Sequence, residues 1–128
     1  MVEYVTSKGA YAIIDPHNNN YGLQFEYVDA TKGDFVNLWY LLAVRFRDNP
    51  KVIFALYNEP KYGESDGGEA KYFDMASTDD SGALVEQWRV WTQAAIWDIR
   101  NAAQATNAIL VPGLKFTTAL DWSGRNCA

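Results

Sequence analysis

Three short apolar runs constrain this chain more than any other feature. Residues 11–15 (YAIID), 51–57 (KVIFALY) and 107–112 (NAILVP) are nearly continuous in apolar side chains. A run without polar alternation describes a strand covered on both faces, as in a parallel sheet packed between helices. The intervening segments carry helical spacing. Asp34 suits an N-cap, and Phe35, Leu38, Trp39, Leu42 and Phe46 then fall on one buried face. Arg45 and Arg47 stand where a helix dipole favours cations, and Asp48-Asn49-Pro50 stops the helix. A second helix is expected from Ser81 or Gly82 to about residue 105, with Leu84, Trp88, Trp91, Ala95 and Ile99 inward. Residues 2–8 read as the last turns of a helix ended by Gly9, and residues 117–122 as the opening of another. The order is helix end, strand, helix, strand, helix, strand. That order is α/β, with right-handed crossovers expected. Periodicity alone leaves a barrel and an open sheet both standing.

The long polar segments, residues 17–33 and 61–80, read as loops. Both follow strand ends, where α/β folds build their sites. There is no glycine-rich phosphate loop and no internal repeat. At 128 residues the chain fits one domain, 1–128. Its net charge of −5 argues against a basic nucleic-acid surface. No run approaches the roughly 18 apolar residues of a membrane span. The single cysteine, Cys127, permits no internal disulfide and no cysteine-based zinc site. The amino end lacks a secretion signal, which leaves open an intracellular chain or a mature, trimmed or partial one. Five Trp, eight Tyr and six Phe exceed what a core of this size needs. Most serve packing; the surplus can stack on flat ligands, sugars included.

Each strand end presents polar residues: Asp15-Pro-His17-Asn18, then Asn58-Glu59-Pro60, then Pro112-Gly113 with Lys115 and Phe116 beyond. Paired parallel strands lie about 4.8 Å apart, so direct pairing of the first two lets His17 and Glu59 share a cleft. Asn58 and Glu59 are adjacent and alternate in direction. Both serve one site only if the strand end bends or bulges. Each residue also has a structural reading. Glu59 can be a solvated carboxylate, His17 a hydrogen-bonded support, and Asn58 a turn cap. Asp15 before Pro16 is an ordinary turn device. Glu64, Asp66, Glu69, Asp79 and Asp80 show no fixed metal-ligand spacing and read as a solvated loop.

Ile13-Ile-Asp-Pro-His-Asn18, Phe35-Val-Asn-Leu-Trp39 and Val52-Ile-Phe-Ala-Leu-Tyr-Asn-Glu-Pro60, in this order, resemble glycoside hydrolase family 5. The likeness is strongest to its endo-β-1,4-glucanases, or cellulases. Ala94-Ala-Ile and Ile109-Leu-Val-Pro-Gly113 fit the same pattern. The resemblance implies a (β/α)8 TIM barrel of which the three strands are the third to fifth. It implies retaining hydrolysis of β-glycosidic bonds. Glu59 would be the general acid/base, Asn58 the contact to the sugar 2-hydroxyl, and His17 a lining of the subsite at the cleaved bond. The implied partner is a β-glucan polysaccharide in an extracellular setting, with no metal, no cofactor, no nucleic acid and no membrane. A whole barrel takes roughly 250 residues, and the family's nucleophilic glutamate on the seventh strand has no counterpart here. The expectation is an internal fragment of a catalytic domain, inactive alone, whose open barrel edges invite self-association. Local departures bear on substrate choice: Asn19-Asn20 precede Tyr21, Lys61 follows Asn-Glu-Pro, and Leu114-Lys115-Phe116 follow Pro-Gly. The alternatives are a noncatalytic glycan-binding remnant, with Tyr21, Tyr62, Phe116 and Trp122 as stacking candidates, a hydrolase of mannan or another β-glycan, and an unrelated α/β protein.

Overall fold

A computed structural model describes residues 1–17, 24, 25, 28, 29, 31–58 and 83–113. Helix α1 (Val2–Ser7) leads into strand β1 (Ala12–Ile14). Gly9 makes the turn between them at φ +93°, a left-handed conformation open to glycine at no steric cost. Within the segment expected as pure loop, β2 (Gln24–Phe25) pairs antiparallel with β3 (Val28–Asp29). Then come α2 (Lys32–Phe46), β4 (Val52–Ala55), α3 (Ala83–Trp97) and β5 (Ile109–Leu110). The helix expected over residues 117–122 lies outside the described residues.

Helix α2 starts earlier than the Asp34 cap suggests. Thr31 is the N-cap, and Asp34 is its capping-box partner. The Thr31 hydroxyl accepts from the Asp34 N–H at 3.3 Å, and the Asp34 carboxylate accepts from the Thr31 N–H at 2.8 Å. The hydrogen bonds from Thr31 hold the Asp34 carboxyl below its ordinary value. A lowered folded-state pKa stabilises at neutral pH and is lost as pH falls through it. Acid titration of Thr31→Ala should therefore lack a component of helix loss, by circular dichroism, that the parent shows below about pH 4.

Helix α3, by contrast, is shorter than expected. It passes into a π-helical turn, Asp98–Ala102, closed by Ala103 N–H donating to the Asp98 carbonyl at 2.8 Å. Gln104 then takes φ +56°. The Arg100 guanidinium donates to the carbonyls of Ala105 (2.7 Å) and Asn107 (2.8 Å) and so steers the chain toward β5.

The three long-range strands form one parallel sheet in the order β1-β4-β5. Ala12 pairs with Val52, and Phe54 with Ile109. Val52, Phe54 and Leu56 are fully buried on the face that receives α2 and α3. Phe35 of α2 meets Trp88 and Trp91 of α3 at 5.8 Å between ring centroids, and Trp39 meets Phe54 at the same distance. Trp39 and Ala43 complete the inner face of α2, while Leu38 and Leu42 are only half-buried. The other sheet face departs from the expected double cover. Tyr11, Ile13 and Leu110 are 65, 58 and 49% exposed there.

Candidate active site

The carboxyl ends of β1 and β4 stand side by side. The Asn58 N–H donates to the Pro16 carbonyl at 3.2 Å. His17, exposed, lies three residues past the end of β1, and Asn58, half-buried, three residues past the end of β4. The fold thus brings two of the three sequence-predicted site residues to one rim. Glu59 lies outside the described residues, as do Asn18, Tyr21, Tyr62, Lys115, Phe116, Trp122 and all the carboxylates of the second long loop.

The rim is not a regular continuation of the sheet. Through β1 and β4 each residue pairs with the one 40 positions on, Ala12 with Val52 and Ile14 with Phe54. A regular parallel ladder would then bring the Tyr57 N–H to the Pro16 carbonyl. Asn58 makes that bond instead, one residue further along. Burial alternates from Val52 to Leu56 and breaks at the same point, where Tyr57 is buried directly after Leu56. The strand end carries the extra residue of a bulge, which re-aims the side chains beyond it.

Tyr57 is the residue that sequence reasoning missed, because it closes an apolar run and reads there as core. It is 4% exposed, and its hydroxyl has no hydrogen-bond partner among the described residues. Burial, and secondarily the nearby Asp15 carboxylate, push its pKa up to about 12. The phenol therefore stays protonated. Asp15 is itself held above the ordinary carboxylate value by partial desolvation, with His17 pulling the other way. Asp15, His17, Tyr57 and Asn58 thus form one polar cluster at the rim. A buried hydroxyl with no partner among the described residues is a cost, so Tyr57→Phe is expected to raise stability by about 1 kcal/mol, read as a higher urea midpoint.

Two indoles fix the rim from the helix side. Trp39 Nε1 of α2 donates to the Leu56 carbonyl at 3.1 Å, and Trp88 Nε1 of α3 donates to the Pro112 carbonyl at 3.0 Å. Both accepting carbonyls sit at the carboxyl ends of strands. No group of three or more metal-ligating side chains occurs among the described residues, and no described helix is long and apolar enough to cross a membrane.

Known proteins share this fold. The model of the family described as Cellulase (glycosyl hydrolase family 5) matches residues 1–127. Endoglucanase 1 of Saitozyma flava is 38% identical over 125 residues, covering 95% of this chain and 31% of the relative. Endoglucanase 3 of Humicola insolens is 33% identical, covering 98% and 26%. Among solved structures, XacCel5A in complex with cellopentaose superposes with a TM-score of 0.67 at 32% identity, over 94% of this chain and 33% of that one. The endo-β-1,4-glucanase Xac0029 of Xanthomonas axonopodis pv. citri gives 0.67 at 31% identity, over 97% and 33%. The chain spans between about a quarter and a third of the length of these relatives. The parallel sheet and its crossover helices are part of a (β/α)8 barrel, and its exposed apolar face is the one such a barrel turns to its axis. The chain belongs to glycosyl hydrolase family 5, the cellulase family.

Proposed function

We propose that residues 1–128 are the acid/base-bearing part of a secreted, retaining, endo-acting β-1,4-glucan hydrolase. Glu59 protonates the departing glycosidic oxygen and later activates water. Asn58 holds the sugar 2-hydroxyl, and His17 lines the subsite at the cleaved bond. A retaining mechanism needs a second carboxyl group about 5–5.5 Å from the first, and no carboxylate of this chain takes that role. The isolated chain is therefore inactive, and its open sheet edges favour self-association. The observation that carries the reading is the Asn58–Pro16 hydrogen bond. It joins the two strand ends so that His17 and the residue before Glu59 share one rim, in a chain whose relatives are named endoglucanases.

The test uses the purified chain and a chimera in which it replaces the matching segment of the Saitozyma flava endoglucanase. The chain alone should leave carboxymethyl-cellulose intact, and the chimera should shorten it. A chimera that folds and binds cellopentaose without cutting would overturn the catalytic assignment and favour a glycan-binding remnant.

A further inference from the structure

Strand β4 meets β5 in a register that pairs Phe54 with Ile109 and Ala55 with Leu110. The Phe54 N–H donates to the Ala108 carbonyl at 2.9 Å, and the Leu56 N–H to the Leu110 carbonyl at 3.0 Å. Continued by one step, the ladder sets Leu56 opposite Val111. The Leu56 carbonyl then requires the N–H of residue 112. That residue is proline and has none. A buried carbonyl without a donor is costly. The Trp39 indole N–H supplies the donor, at 3.1 Å, from a side chain with no solvent exposure.

We propose that Trp39 is a positioning residue: its indole N–H replaces the ladder donor that Pro112 lacks, and so sets the strand end from Leu56 to Asn58. Just beyond this bond the register slips and Asn58, not Tyr57, reaches the Pro16 carbonyl. The indole therefore holds the last regular residue of β4, and the bulge begins from a fixed point. Pro112 has a second consequence: without its N–H the ladder stops, and its own carbonyl is taken by Trp88. The bearing of Trp39 on catalysis rests on the roles proposed for Asn58 and Glu59. Its role in the rim does not.

Amide hydrogen exchange on the 15N-labelled chain tests the role. Trp39→Phe removes the donor and keeps an aromatic ring. Exchange at the Asn58 N–H should speed at least tenfold, while the Ala12 N–H, at the far end of the same strand pair, stays within threefold. Adding Pro112→Ala restores a backbone N–H opposite Leu56 and should bring Asn58 back to within threefold of the parent. A merely structural indole would not be rescued from across the sheet. Unchanged Asn58 exchange in Trp39→Phe overturns the proposal, and so does faster exchange that Pro112→Ala leaves uncorrected. If Trp39→Phe does not fold, Trp39→β-(3-benzothienyl)alanine, which puts sulfur in place of the N–H at nearly the same shape, carries the same comparison. Cellopentaose titration of the chimera separates the two readings. Its dissociation constant should rise at least threefold in Trp39→Phe and recover with Pro112→Ala. A parent chimera that binds no cellopentaose counts against the functional reading, and the exchange result on the chain still decides the role of Trp39.

Discussion

Glu59→Gln in the chimera is expected to lower turnover of carboxymethyl-cellulose by 10²- to 10⁴-fold, about 3–5 kcal/mol of transition-state stabilisation. The amide keeps the shape of the acid and its hydrogen-bonding reach, so KM should change little. What it lacks is a proton to give the departing sugar oxygen, a group far too basic to leave as an anion. A substrate with a dinitrophenyl leaving group needs no such proton. Its first, bond-breaking step should survive the substitution within about tenfold, while the later attack of water slows for want of a base. That split between substrates distinguishes an acid/base from a group that merely shapes the cleft. Equal losses on both substrates, or a loss below tenfold on the polysaccharide, would remove Glu59 from the role.

Asn107→Leu is expected to cost about 3 kcal/mol of folding stability. The side chain is 3% exposed, and its Nδ2 lies against three carbonyls: Asn49 at 2.8 Å, Val52 at 3.0 Å and Phe46 at 3.4 Å. These belong to the end of α2, the turn after it and the start of β4. One amide therefore ties three successive pieces of backbone to the chain entering β5. Leucine keeps the branching and the number of side-chain heavy atoms with bulkier ends, so crowding adds to a loss that is mainly polar: each carbonyl keeps its burial and loses a donor. In a domain of this size the melting midpoint should fall by on the order of 10 °C. Urea unfolding should show a lower midpoint at unchanged slope. A shift below about 1 kcal/mol would mean that water or backbone donors replace the amide.

The three strands were legible because a buried parallel strand leaves an uninterrupted apolar run, and each run holds its strand. Their lengths were not legible. Residues 11–15, 51–57 and 107–112 shrink to Ala12–Ile14, Val52–Ala55 and Ile109–Leu110. The runs continue past Ile14 and Leu110, where the strands stop because Pro16 and Pro112 have no N–H with which to extend the ladder. The start of α2 was misjudged because Lys32-Gly33 looks like loop, although Thr31-x-x-Asp34 has the spacing of a capping box. The end of α3 carries no glycine or proline, and the π-helical turn with Gln104 at positive φ leaves no mark in composition. At the rim, alternation makes a bend or bulge the condition for Asn58 and Glu59 to serve one site, and a one-residue slip is found before Asn58. The Trp39 bond to Leu56 could not be foreseen. It depends on which residue of β5 faces which residue of β4, a long-range register that no local pattern encodes.

Trp39 and Trp88 fasten the ends of β4 and β5 from the helix side. Insertions or deletions beyond the strand ends are therefore expected to leave the frame in place. A lineage built this way can rewrite the segments beyond its strand ends while the sheet that carries them is inherited intact.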